Sequence, residues 1–170
     1  NFKMKKLVLT NEVVVALTTP AYAKFRNLGS NHYEKFLDKG HRLLENLHRS
    51  YILDNGITDQ NQMNAISGKA GSNESLAILF SIIEKRYNLN PYIDWRMINQ
   101  GGPSTKVKAK MLKSLLCAIF VSGQNEVLDD IFDEIKRNIP LNYIDPIVTF
   151  NEILRKNEYK YVDSLIIIKN

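Results

Sequence analysis

The chain has 170 residues, 44% of them hydrophobic and 24% charged. That is enough apolar material for one domain with a sizeable core plus a short appendage, and it argues against global disorder. A net charge of +5 and a pI near 9.2 suit an acidic partner such as RNA without requiring one. The single cysteine, Cys117, excludes an internal disulfide framework and a cysteine-based zinc site. No stretch approaches the roughly 18 uninterrupted apolar residues of a membrane span.

The opening NFKMKK is basic, acid-poor and without an initiator Met, which is compatible with processing after organelle import. Residues 10–18 (TNEVVVALT) read as a short helix stopped by Pro20. The clearest helix covers 31–51. There Tyr33, Phe36, Leu37, Gly40, Leu44, Leu47 and Tyr51 recur at i, i+3, i+4 and i+7 as one apolar stripe. His32, Lys35, Lys39, Arg42 and Arg49 occupy the other side. Gly40 inside a helix costs about 1 kcal/mol relative to Ala, so close packing is expected at that point.

Residues 54–72 are rich in Asn, Gly, Asp, Gln and Ser, with a weak helical turn around Gln60–Ile66. Helix resumes at Ser72-Asn73-Glu74, an N-terminal cap, and runs through ESLAILFSIIEKRY. Residues 88–105 carry the Pro and Gly punctuation of a loop. The segment 106–122 is apolar almost all round after Lys113 and is expected to be the central, buried helix; Cys117 inside it reads as a small buried hydrophobe. Gly123 ends that helix, and 125–137 forms one more amphipathic helix. Pro140 closes the main domain, 1–140, and leaves 141–170 as an extension in which 145–156 read as a helix and YVDSLIII as a strand.

Four blocks carry a likeness to a known family. NHYEKFLDKGHRLL (31–44) and KVKAKMLKSLLCAIFVSG (106–123) resemble the two signature helices of ribonuclease III domains, which read roughly N-E-R-L-E-F-L-G-D-A-V-L and K-x-x-A-D-x-x-E-A-L-I-G-A-I-Y. VALTTPAY (15–22) resembles the family's A-L-T-H-R-S-Y, with Thr19 where His is usual, and GSNESLA (71–77) resembles its S-N-x-x-L-A. The blocks stand in family order and spacing over about residues 10–138. The resemblance implies an all-α, ribonuclease III-like helical fold for the main domain. DPIVTFNEILRKN faintly resembles the start of the double-stranded RNA-binding domain that often follows, but too few residues remain for the complete module. A helix-strand extension packing on the domain or on a partner is expected instead.

In the family, the signature helices carry acids that hold divalent metal. The matching positions here are Lys35, Lys39, Lys110 and Lys113. Mg²⁺ requires oxygen ligands and an ammonium offers none, so the resemblance implies a degenerate site with no metal, no cofactor and no catalytic residue. Lys35 and Lys39 at i, i+4, and Lys110 and Lys113 at i, i+3, are like-charge neighbours that need anions or open water nearby. Two readings stay open: they grip phosphates, or they merely face solvent. On the first, Lys35, Lys39, Arg42, Arg49, Lys106, Lys110 and Lys113 are the RNA-binding candidates.

Family domains dimerise through the apolar face of the first signature helix, which makes Phe36, Leu37, Gly40 and Leu44 interface candidates, with an intramolecular core role equally open. A catalytically dead member commonly pairs with a different ribonuclease III-like protein, so a heterodimer is expected ahead of a homodimer. The nearest setting by resemblance is the ribonuclease III-like proteins of the mitochondrial ribosomal large subunit, fungal ones in particular. That implies ribosomal RNA and ribosomal proteins as partners, the mitochondrial matrix as location, and no membrane. The rival readings are a pseudo-enzyme dimerisation scaffold without RNA contact, and an active nuclease using displaced acids.

Other residues carry less. His32, His41 and His48 share a helix, with no carboxylate partner at metal spacing, and are expected at the surface or partly buried. Glu126, Asp129, Asp130, Asp133 and Glu134 read as a solvated acidic face. Glu34 and Asp38 each lie one residue from a signature position, which turns them roughly 100° away. There is no phosphate-binding Gly-rich loop and no nucleophile elbow.

Overall fold

The computed structural model describes residues 5–98, 102–147 and 149–157, and every regular element among them is helical. In chain order these are α1 (Asn11–Ala16), α2 (Pro20–Phe25), α3 (Glu34–Asp54), α4 (Gln60–Ala70), α5 (Asn73–Arg86), a 3-10 turn (Asn90–Tyr92), α6 (Thr105–Val121) and α7 (Asn125–Arg137). Residues 146–147 and 149–157 are helical as well. The strand expected at 161–168 lies outside the described residues.

Local chemistry sets most of the helix starts. Thr10, Thr19, Asp59, Ser72 and Ser104 each accept, through a side-chain oxygen, the backbone N–H three residues on. Each such cap contributes about 1 kcal/mol. Two elements differ from the sequence expectation. Pro20 does not merely stop α1; it occupies the first turn of α2, where its missing N–H costs nothing and Thr19 caps the helix. The polar stretch after Asp59 is a full helix, α4, rather than one weak turn. What holds it is remote: Ile66 and Ala70 pack with Ile52 of α3 and Ile139 in a small second core.

The main core is built around α6. Ala109, Met111, Leu112, Ser114, Leu115, Leu116, Cys117, Ala118 and Ile119 are all buried. Side chains such as Leu and Ile contribute about 1.5–3 kcal/mol each on burial. α6 packs chiefly against α3 and α5, with α1 and α7 completing the cover. Burial pushes the Cys117 thiol up, Lys39 pulling it weakly back, so the residue behaves as a core hydrophobe.

α3 crosses α6 very closely at Gly40. A Cβ there would collide with the Lys113 backbone carbonyl. The close approach is locked beside it by the Ser114 hydroxyl, which donates to the Tyr33 carbonyl at 2.5 Å. Leu44 is buried in the main core.

The acidic face of α7 is only partly solvated. Asp130 and Glu134 turn inward to bracket Arg86 of α5, at 3.1 and 2.5 Å. Tyr87 donates its hydroxyl to Asp130 at 2.5 Å. Burial alone would raise the Asp130 carboxyl, but hydrogen bonds from Tyr87 and Arg86, with the charge of Arg86, hold it below its ordinary range. Glu126, Asp129 and Asp133 stay exposed. No helix among the described residues is long and apolar enough to cross a membrane.

Candidate functional site

Lys106, Lys110 and Lys113 stand at i, i+4 and i+7 and so form one stripe along α6. They line an open groove of about 540 Å³ whose other wall is Glu34, Leu37, Asp38 and His41 of α3, closed at one end by Asn73 of α5. Lys106 is exposed, and Lys110 and Lys113 are half-buried. Among the described residues none of the three makes an ion pair. Burial lowers the Lys113 ammonium from its ordinary value, and the nearby charge of Lys110 lowers it further. A groove lined in this way attracts anions.

The four signature lysines do not all line this groove. Lys110 and Lys113 line the groove, whereas Lys35 and Lys39 do not. Lys35 reaches Asn31 Oδ1 at 3.4 Å and lies 6.0 Å from the Phe36 ring centroid. Lys39 is exposed, with its charge felt at the Cys117 thiol. The face of α3 that meets the groove carries Glu34 and Asp38, the residues that alignment to the signature set aside. One residue of helix rotates a side chain by about 100°, and the crossing fixed at Gly40 selects the 34, 37, 38, 41 flank. Asp38 is already engaged by Arg42 at 3.0 Å. No group of three or more His, Cys, Asp or Glu among the described residues is placed to hold a metal ion.

The remaining candidates spread out. Arg42 is exposed on its Asp38 pair, and Arg49 is held by Glu45 at 3.3 Å and Asn64 at 3.2 Å. Gly40 and Leu44 are buried inside the single chain, while Phe36 and Leu37 are half-buried. Within that set, Gly40 and Leu44 serve the chain's own packing and present nothing to a second copy.

His48 departs most from expectation. It is not at the surface but 2% exposed, and its Nε2 has no hydrogen-bond partner. Burial lowers its pKa to about 4, with Glu45 opposing and Lys113 adding to the effect. The signal was present in the sequence: Gly40, Leu44, His48 and Ile52, four apart throughout, are the buried residues of α3. The imidazole occupies a core position on that row.

Compared with known proteins, the chain matches no family model and no curated protein.

Proposed function

We propose that this chain is a non-catalytic, ribonuclease III-like protein that holds structured RNA. On this reading it is a component of the mitochondrial large ribosomal subunit and pairs there with another ribonuclease III-like subunit. The observation that carries the RNA-binding part is the stripe of Lys106, Lys110 and Lys113 along an open groove, free of ion pairs with described residues. Such a stripe neutralises successive phosphates, and each contact releases counterions, giving a dependence of log affinity on log salt of about 0.7–0.9 per phosphate. The non-catalytic part is supported by the donor set. Glu34 and Asp38 are the groove's carboxylates, Asp38 is tied to Arg42, and three ammonium groups line the same space. A divalent cation meets repulsion there instead of a ligand cage.

The test is duplex RNA binding by the purified chain across a salt series, alongside the double variant Lys106→Glu/Lys110→Glu. Salt-sensitive binding is expected, with the variant weaker at every salt concentration and its slope smaller by roughly two contacts. RNA incubated with Mg²⁺ or Mn²⁺ is expected to stay intact. Reproducible cleavage abolished by a chelator would overturn the non-catalytic reading. Isolating the native protein and identifying its co-purifying RNA and subunits tests the host complex.

A second reading, a protein-pairing scaffold without RNA contact, draws on one different observation. Ile147, Phe150, Ile153 and Leu154 in the C-terminal helical segment are all exposed, at a spacing that places them on one side of a helix. Unchanged RNA association in the charge-reversed variant would favour it.

A further inference from the structure

Beside the groove, α3, α4 and α6 line a second, half-open cavity of about 270 Å³, bordered by Glu45, His48 and Arg49 of α3, Asn64 and Ser67 of α4, and Lys113 of α6, with His41 also on its wall. We propose that this cavity is a binding site for a terminal phosphate, the dianionic end group of a phosphate monoester or inorganic phosphate itself.

The first argument is an unmet hydrogen bond. A buried polar atom without a partner is rare and costs stability, and His48 Nε2 is the one such side-chain atom among the described residues. Its imidazole is a wall of the cavity. A phosphate oxygen inside the cavity would accept a hydrogen bond from the Nε2–H of that ring.

The second argument is charge. Lys113 brings a half-buried ammonium with no ion pair to a described residue. Arg49 uses Nε on Glu45 and Nη1 on Asn64, which leaves Nη2 uncommitted among the described residues. Glu45 is the one carboxylate of the lining, and it is paired with Arg49 at 3.3 Å and with His41 Nε2 at 3.7 Å. With Arg49 set against Glu45, the Lys113 ammonium leaves the cavity net positive, which disfavours a metal cation and suits an oxyanion.

Shape decides between an end group and a passing phosphodiester. The floor is formed by Ser67, Gly68 and Gly71. A Cβ at Gly68 would meet nothing, and one at Gly71 would lie 3.2 Å from the Ser67 carbonyl oxygen and 4.0 Å from His48 Cε1. The absence of two side chains opens depth next to the imidazole, which is itself almost wholly buried. A group must enter end-on to reach it, whereas an internal phosphodiester is flanked on both sides by sugar.

The full-length chain, labelled for histidine Cε1–Hε1 NMR signals, is titrated with inorganic phosphate at constant ionic strength. A saturable shift of the His48 signal is expected, with affinity falling about tenfold in Lys113→Met, the loss typical of one charge-assisted contact. Ser67→Ala, a gentler change, is expected to weaken it a few-fold and keeps the test valid if Lys113→Met fails to fold. The same RNA with a 5′-phosphate or a 5′-hydroxyl separates the sources. Tighter binding of the phosphorylated form identifies a nucleic-acid end, and equal binding of the two, with inorganic phosphate still active, identifies a free phosphate. A His48 signal that does not move, or that moves equally with acetate, overturns the proposal. So does a titration unchanged in both variants. Lys106→Glu is expected to leave the phosphate titration intact while weakening duplex binding, so failure of this site and failure of the groove reading are told apart.

Discussion

Replacing Gly40 by Ala pits two effects of opposite sign against each other at one atom. In an open helix the change is favourable by about 1 kcal/mol, because Ala loses less backbone freedom than Gly. Here the new Cβ would sit 3.2 Å from the Lys113 Cα and nearer still to its carbonyl group. These are backbone atoms of the most buried helix, so no side-chain rotation relieves the overlap and α3 must back away from α6. Overpacking of this kind costs about 1–3 kcal/mol, and a backbone obstacle belongs at the upper end of that range. Subtracting the propensity gain leaves a net destabilisation of about 2 kcal/mol. With a urea slope near 2 kcal/mol per molar, the unfolding midpoint falls by about 1 M. Gly68→Ala in α4 is the matched control, because a Cβ there meets nothing and its φ is not positive; its midpoint is expected to rise, with a gain of up to about 1 kcal/mol. A Gly40→Ala midpoint that is unchanged or raised would refute the close crossing.

Two further outcomes are expected. His48, ordinarily near 6.5 and held at about 4, is neutral in the folded chain. Between those two values the unfolded chain binds the extra proton, so stability is full above about pH 6.5 and declines on acidification until about pH 4, by on the order of 3 kcal/mol. Denaturation midpoints across that window measure it, and a His48→Gln variant whose midpoint falls just as steeply would refute the assignment to His48. Arg86→Met removes the cation shared by Asp130 and the 9% exposed Glu134, leaving Tyr87 on Asp130 and Arg137 on Glu134. Discounted for partial exposure, the cost is about 2–3 kcal/mol, or a melting temperature lower by about 5–10 °C; a loss of under one degree would mark the network as incidental.

Sequence reading located α3, α5, α6 and α7 because their apolar residues recur at helical spacing. At α5, Ser72 also announces the start by capping it. α2 is harder to read because a proline after an apolar run can end one helix or begin the next; Thr19 before it makes Pro20 a beginning. α4 reads as weaker than it is because the burial of Ile66 depends on Ile52 and Ile139, which no local window contains. At the groove, the α6 lysines followed from the resemblance of 106–123 to a signature helix, but the facing residues of α3 did not. A rotation of one residue decides between Lys35 with Lys39 and Glu34 with Asp38, and that rotation is set by how deeply Gly40 seats on Lys113. His48 escaped for a different reason: histidine reads as polar, whereas its place on the 40, 44, 48, 52 row is apolar by position.

Lys113 borders two neighbouring hollows, the open groove and the half-open cavity beside it. One ammonium has three N–H donors but a single positive charge, which two anionic occupants must divide. Occupants of the two spaces therefore draw on a common charge, and each must loosen the other by the same factor, as linkage requires. A chain that holds RNA along α6 would release its grip when an end phosphate seats against His48. On the two proposals together, the shared lysine would couple the two hollows, with no effector or moving domain required.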